Sequence, residues 1–364
     1  MAIEGFANQF VCDLVAYEPG KPIEETAREL GLKPEEIVKL ASNENPLGPS
    51  PKAVEAMKGA SEAMHVYPDG GGYRLRTALA ERHGLEMKNV VLGNGSNEII
   101  ELLCHSFLNE GTSLIAAEHA FVVYKLMATL FGAKYVEVPD PGFVHDLEGM
   151  AAAVTEETRL VFVANPNNPT GTLVEMEAIE RFLDGLPEHV IAVFDEAYYE
   201  FVAEPADTVR FVKEGRNVVV MRTFSKAQGL AGLRVGYGLM PESIAGLLNR
   251  ARQPFNSNEM AQLGALASIN DEEHVRRTVE NNRVGLELFQ GAFAERGLEY
   301  VPSHANFVLV KVGDGDRVFS ELLKRGVIVR AMRGYKLPEW VRVSVGLPEE
   351  NRRFLEMLDE VLGL

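Results

Sequence analysis

This sequence of 364 residues predicts an α/β protein: a large domain with a mostly parallel central sheet, and a smaller α+β domain at the C-terminal end. Two observations carry that reading. Between residues 90 and 240, short β-branched apolar runs alternate with helical stretches, the pattern of strands buried on both faces with helices crossing between them. After about Pro241 the pattern changes to long helical stretches with apolar residues at three and four spacing, then three strand-like runs and a last helix.

Taken in order, residues 1–45 hold Pro19, Pro22 and Pro34 around one short helical stretch, Ile23 to Leu30, and are expected to form an arm that packs elsewhere. Residues 46–246 are expected to make the large domain. Its strands are predicted at Val90 to Leu92, Ser113 to Ala117, Tyr135 to Val138, Leu160 to Val163, Val190 to Phe194, Val218 to Met221 and Val235 to Leu239, with helices such as Asn97 to Leu108 and Phe121 to Phe131 between several of them. Residues 247–364 are expected to make the small domain. Helical stretches run from Glu242 to Asn270 and from Asp271 to Arg296, followed by strand-like runs at Asn306 to Val312, Val327 to Ala331 and Trp340 to Val345. The last helix, Pro348 to Leu362, opens with proline and two acids, all well suited to a first helical turn.

Composition excludes several classes of function. With 36 basic against 53 acidic residues the net charge is −17, a field that repels phosphate backbones, so no nucleic-acid partner is expected. Cys12 and Cys104 alone make neither a disulfide framework nor a Cys-x-x-Cys metal site, and a reducing cytoplasm fits best. No apolar stretch approaches the roughly 18 residues of a membrane span, and the N-terminus does not read as a secretory signal. His65, His83, His105, His119, His145, His189, His274 and His304 are scattered without metal-ligand spacing, so no metal is expected.

In a sheet of this kind a ligand binds beyond the carboxyl ends of the strands, so the residues just after each run are the informative ones. After Val90 to Leu92 comes Gly93-Asn94-Gly95-Ser96-Asn97 and then a helix, which places free amides at a helix start where an anion can bind. The same residues also suit an ordinary glycine turn with Ser96 or Asn97 as helix cap. After Leu160 to Val163 and Ala164 comes Asn165-Pro166-Asn167-Asn168-Pro169-Thr170-Gly171, whose prolines fix the backbone and aim the asparagines. Asp195 ends a strand that should lie deep in the sheet, where a carboxylate needs a cation or hydrogen-bond donors. Lys226, in Thr223-Phe224-Ser225-Lys226, sits between apolar strand and Gly229-Leu230-Ala231-Gly232-Leu233, and burial would leave it an amine able to attack a carbonyl.

Asn-Pro-Asn-Asn-Pro-Thr-Gly at 165–171, Asp-Glu-Ala-Tyr at 195–198, and Thr-Phe-Ser-Lys at 223–226 followed by Gly-Leu-Arg-Val-Gly together resemble the fold-type I pyridoxal-phosphate aminotransferases. More narrowly, Ser42-Asn43-Glu44-Asn45-Pro46, Tyr67-Pro68-Asp69 and Val341-Arg342-Val343-Ser344-Val345-Gly346 resemble the histidinol-phosphate aminotransferase family, over essentially the whole chain.

The resemblance implies a pyridoxal 5'-phosphate cofactor and a role for each matching residue. Lys226 would hold the cofactor covalently and shuttle a proton between the substrate α-carbon and the cofactor's C4′. Asp195 would pair with the ring nitrogen, and Asn168 and Tyr198 would hydrogen-bond the ring's 3′ oxygen. Ser96, Asn97, Thr223, Ser225 and Arg234 would take the phosphate, with Phe121 stacked on the ring where many members have tyrosine. Tyr67 would reach the cofactor phosphate of a neighbouring subunit in a homodimer. Arg342, assisted by Asn43, would take a substrate carboxylate; Arg330 would take the substrate's own phosphate, with Tyr17 closing over it. The implied reaction exchanges an amino group between histidinol phosphate and 2-oxoglutarate. An aromatic-amino-acid aminotransferase or a threonine-phosphate decarboxylase-like enzyme would keep the same cofactor residues.

Overall fold

The apolar runs between residues 90 and 240 all become strands, nearly all of them buried on both faces; the run at 134–138, at the sheet's edge, is half-buried. In the computed structural model, which describes residues 3–15 and 22–364, the large sheet consists of seven strands. In chain order the strands are β1 (Val38–Lys39), β2 (Val90–Asn94), β3 (Ser113–Ala117), β4 (Lys134–Val138), β5 (Thr158–Ala164), β6 (Ile191–Asp195), β7 (Val218–Thr223), β8 (Val235–Leu239), β9 (Tyr300–Val301), β10 (Phe307–Lys311), β11 (Val327–Ile328), β12 (Arg330–Ala331) and β13 (Trp340–Ser344). The large sheet has the spatial order β2-β8-β7-β6-β5-β3-β4.

All pairs from β7 through β4 are parallel, whereas β8 runs antiparallel to both β7 and β2. The connection from β7 to β8 explains the exception. It spans only Phe224 to Arg234 and contains a single helical turn, Ala231–Leu233, too little for the crossover that a parallel pair requires.

Alternation along each strand feeds two apolar cores. In β5, Leu160 and Phe162 enter one cluster with Leu114, Val193 and Val219, while Val161 and Val163 enter the other with Ile115, Phe194 and Val220. Side chains two apart share a face. Each such fully buried side chain contributes about 1.5–3 kcal/mol relative to exposure. The reward for rigid strands is that the residue just past each one is held in a fixed place at the sheet's end.

Three expectations change in detail. The helical stretch predicted from Glu242 to Asn270 is two helices, Glu242–Ala251 and Glu259–Ile269. Pro254 disfavours helix at the residue before it, and Phe255 takes the left-handed conformation at φ 56°. The second of these helices buries Ala261 and Ala265 in the same cluster as Val161, so residues 247–269, grouped by sequence with the small domain, pack on the large sheet's core. The run Val327 to Ala331 is divided: β11 pairs in parallel with β1 of the N-terminal arm, and β12 pairs antiparallel with β13.

The C-terminal sheet, β12-β13-β10-β9, is antiparallel and has its own core. Phe289 and Phe293 of the helix Glu272–Glu295 and Phe354 and Leu358 of the helix Pro348–Leu362 pack there against Val308, Val310, Val341 and Val343. The arm's Val38 and Leu40 belong to this cluster too, which identifies what the arm packs on. Among the described residues, no helix is long and apolar enough to cross a membrane.

Candidate active site

A cavity of about 290 Å³ opens at the carboxyl ends of β5, β6 and β7, where the parallel strands point and where the C-terminal sheet meets them. It brings together Lys226, Asp195, Tyr198, Asn168, Phe121, Ser96, Asn97, Thr223, Ser225 and Arg234 from the large sheet with Arg330 and Arg342 from the C-terminal sheet and Asn43 from the arm. Two of the residues singled out by sequence are not among them. Tyr67 is 79% exposed and stacks on Phe255 with ring centroids 4.7 Å apart, and Tyr17 lies outside the described residues.

Lys226 follows β7 at the end of a tight turn, partly buried, with its Nζ donating to the Ser42 carbonyl at 3.3 Å. Burial, helped by the nearby Arg342 guanidinium, lowers its ammonium to about 8. An amine in that range is free for a useful fraction of the time at neutral pH.

Asp195 is the last residue of β6 and is buried, which by itself pushes its carboxyl above the usual range. It is held by hydrogen bonds: the Tyr124 phenol donates to Oδ2 at 2.7 Å and the Ala197 amide to Oδ1 at 3.2 Å. Among the described residues, no cation forms a salt bridge with it. A positive group placed opposite would stabilise its charged form.

The anion-binding end is built from backbone as much as from side chains. The helix Ser96–Phe107 begins at the cavity with Gly95 as its cap residue and no side-chain cap on its first turn. Neither Ser96 nor Asn97 is the cap. Gly95, at φ 76°, lets Arg234 come close: a Cβ there would stand 2.4 Å from the Arg234 Nη2. The Thr223 and Ser225 hydroxyls, 3.0 Å apart, line the same end. Uncapped helix amides, two hydroxyls and a guanidinium form a donor set for a dianion.

At the opposite end, Arg342 is buried on β13. It donates from Nη1 to Asn168 and from Nη2 to the Ala41 carbonyl at 2.8 Å. Arg330 is its direct cross-strand partner on β12. Like charges facing each other across a strand pair are unfavourable unless anions join them. Tyr198 lies between the two halves. Its phenol is pushed up to about 12, by burial first, and its oxygen accepts from Asn43 Nδ2 at 2.9 Å.

Sequence reasoning missed Tyr124. The available signal was a phenol at the third position after Phe121 in an otherwise apolar helical run, since a buried tyrosine needs a partner for its hydroxyl. It also missed that Glu118, His119 and Asp140 converge to within 4.8 Å. His119 is hydrogen-bonded to Asp140 at 2.6 Å, and Glu118 is paired with Lys336. A larger cavity, about 600 Å³, shares Thr223 with the first and is lined by Arg82, His83, Glu200, Arg222 and Tyr237. Its Arg222 is committed to a buried ion pair with Glu196.

These residues fit pyridoxal phosphate at three points: an amine for its aldehyde, a buried acid for its ring nitrogen, and a dianion cradle for its phosphate. On a sheet of this topology they define the class, a fold-type I pyridoxal-phosphate-dependent aminotransferase. The family model for aminotransferase class I and II matches residues 35–358, and the chain belongs to that family. Within it, the chain groups with the histidinol-phosphate aminotransferases. It is 60% identical over 363 residues to a histidinol-phosphate aminotransferase of Akkermansia muciniphila, covering 100% of both chains. It is 49% identical to histidinol-phosphate aminotransferase 2 of Ralstonia nicotianae, over 98% of this chain and 97% of that one. Among solved structures, a histidinol-phosphate aminotransferase of Sinorhizobium meliloti in complex with pyridoxal-5'-phosphate superposes with a TM-score of 0.87 at 27% identity, covering 97% of this chain and 96% of that one.

Proposed function

We propose that this aminotransferase exchanges an amino group between histidinol phosphate and 2-oxoglutarate, and that the thirteen lining residues named above divide the work as the donor chemistry suggests. The observation that carries this reading is the facing pair Arg330 and Arg342 in a cavity that also holds Lys226. Both substrates present an anion beside the amine-bearing carbon, a carboxylate in glutamate and a phosphate one carbon further out in histidinol phosphate. Two adjacent guanidiniums can receive either, Arg342 as a planar two-pronged partner and Arg330 completing the charge for a phosphate.

Bound pyridoxal phosphate supplies an aldehyde that takes up the amino group and a ring that accepts the electron pair left at the substrate carbon. Lys226 would hold the cofactor through its aldehyde and, once released by the incoming amine, would be the base that moves a proton between the substrate α-carbon and C4′. Asp195, fixed by Tyr124, would pair with the ring nitrogen and favour its protonated form. Asn168 and Tyr198 would bind the 3′ oxygen, and Phe121 would cover one face of the ring. Ser96, Asn97, Thr223, Ser225 and Arg234 retain the phosphate. Asn43 helps hold the substrate anion.

Tyr67, an exposed aromatic braced on Phe255 and outside its own cavity, supports a homodimer in which it would reach the cofactor phosphate of the neighbouring subunit. Tyr17 is assigned to closing over the substrate on the strength of the family pattern alone. The acidic composition and a count of only two cysteines, too few for a disulfide framework, support a cytoplasmic enzyme.

The test is a panel of amino donors added to the purified yellow holoenzyme, following loss of the visible band of the lysine-bound cofactor. Histidinol phosphate and glutamate should both bleach it, without release of carbon dioxide, and steady-state lines at varied co-substrate should run parallel. Bleaching by phenylalanine with no response to histidinol phosphate would transfer the assignment to an aromatic aminotransferase.

A further inference from the structure

Asn43 is a buried asparagine held at φ 55°, the left-handed region, and all of its polar groups are engaged. Its backbone N–H donates to Ser344 Oγ at 2.9 Å, and Ser344 Oγ donates back to its side-chain Oδ1 at 2.8 Å. Its carbonyl accepts from Asn306 Nδ2 at 3.1 Å, and its Nδ2 donates to the Tyr198 oxygen at 2.9 Å. Ser344 is buried too, two residues beyond Arg342 on β13 and so on the same face of that strand.

An amide can be turned end for end, and the neighbours decide which end goes where. The hydroxyl of Ser344 has one proton. One lone pair of its oxygen accepts the Asn43 N–H while that proton goes to the amide oxygen, and with Oδ1 held by Ser344 the amide's NH₂ is turned toward Tyr198. The phenol oxygen then accepts, and the single phenolic proton is left to point away from Asn43. In the reverse arrangement, with the NH₂ toward Ser344, the phenol would spend its proton on the Asn43 oxygen.

We propose that Ser344 is a positioning residue: by fixing the Asn43 amide it sets the direction of the Asn43–Tyr198 hydrogen bond, so that Tyr198 donates into the cavity. This rests on the reading in which Tyr198 bonds the cofactor's 3′ oxygen. A donor at that oxygen draws off its negative charge and weakens its grip on the proton shared with the neighbouring nitrogen, so the lysine-bound cofactor loses that proton at lower pH. Ser344 thus acts on the cofactor's titration from two residues away, through Asn43 and the phenol, and touches neither cofactor nor substrate.

The experiment titrates the visible absorbance of the holoenzyme against pH, without substrate, in Tyr198→Phe, Ser344→Ala, Ser344→Thr and the double variant Tyr198→Phe/Ser344→Ala. Tyr198→Phe should raise the midpoint by about one pH unit, the order of one lost charge-assisted hydrogen bond. Ser344→Ala should move it in the same direction, Ser344→Thr should restore it, and the double variant should match Tyr198→Phe alone. If Ser344→Ala does not fold, Ser344→Cys keeps the volume with a weak donor and should shift the midpoint the same way. No shift in Ser344→Ala or Ser344→Cys beside a clear shift in Tyr198→Phe overturns the role of Ser344 and leaves that of Tyr198 standing. An additional shift in the double variant also overturns it. No shift in Tyr198→Phe removes the underlying reading, and the proposal with it.

Discussion

Tyr124 donates its phenolic proton to Asp195 over 2.7 Å, joining the helix that follows β3 to the last residue of β6 with both groups buried. This bond and the Ala197 amide are what hold a carboxyl group at the floor of the cavity, where burial alone would favour its neutral form. The phenol, itself pushed well above its ordinary range by burial and by that carboxyl, remains a donor at every accessible pH.

Tyr124→Phe should therefore act on cofactor retention before it acts on folding. Losing one donor moves the Asp195 carboxyl further up and weakens its pairing with a protonated ring nitrogen. Cofactor affinity is expected to fall about tenfold, the equivalent of roughly 1.4 kcal/mol for one hydrogen bond to a charged group. Equilibrium dialysis of the holoenzyme, read by its visible band, checks this. Unchanged retention would mean the Ala197 amide suffices.

Capture of the cofactor by apoenzyme should carry the signature of Lys226. The ammonium is inert and the amine reactive, and the group is lowered from 10.5 to about 8, so the capture rate should climb as pH rises through about 8 and level off above it. Burial is the largest cause and Arg342 the next. Arg342→Met removes a neighbouring positive charge, which makes the ammonium easier to keep, and the midpoint should move upward. Stopped-flow absorbance of apoenzyme mixed with pyridoxal phosphate gives both curves. Lys226→Ala should capture nothing covalently, and borohydride reduction should leave no label on that peptide.

The facing arginines should separate the two substrates. Arg330→Ala is expected to raise KM for histidinol phosphate by at least tenfold, while KM for glutamate changes less, because a phosphate dianion uses both guanidiniums and a carboxylate is served by Arg342. Arg342→Ala should raise both. Equal effects of Arg330→Ala on the two substrates would show that the pair does not divide the work in this way.

Residues at or just past strand ends were legible in the sequence because a buried strand fixes the direction of its last residue and of those that follow. Asp195, Asn168, Thr223 and Lys226 were found this way, and all line one cavity. What could not be read is pairing across large separations. Tyr124 and Asp195 are 71 positions apart, and Asn43 and Ser344 are 301 apart, so no local pattern links them. The helix break at 252–258 was legible and overlooked: Pro254 and the polar run Asn256-Ser257-Asn258 mark it, and the Asn258 side chain caps the second helix. The single-strand reading of 327–331 failed because consecutive residues pair with different partners, β1 and then β13.

Behind the cavity, Glu196 and Arg222 form a buried ion pair that the sequence also left unpaired on paper. Glu196 follows Asp195 and so faces the other side of the sheet. Its Oε2 accepts from Arg222 Nε at 2.9 Å and Nη2 at 2.8 Å, and the Thr208 hydroxyl donates to Oε1, while the guanidinium lies 3.4 Å from the centre of the Tyr199 ring. Removing one partner strands a buried charge, which costs about 3–5 kcal/mol, whereas replacing both by apolar groups of similar volume is often close to neutral. Arg222→Met should accordingly lower the urea midpoint of the apoenzyme sharply, and Arg222→Met/Glu196→Leu should recover most of the loss. Because neither side chain lines the amine-bearing cavity, kcat of the folded double variant should stay within a few-fold of the parent. A double variant as unstable as the single one would mean that the Thr208 and Tyr199 contacts, rather than the ion pair, govern this side of the sheet.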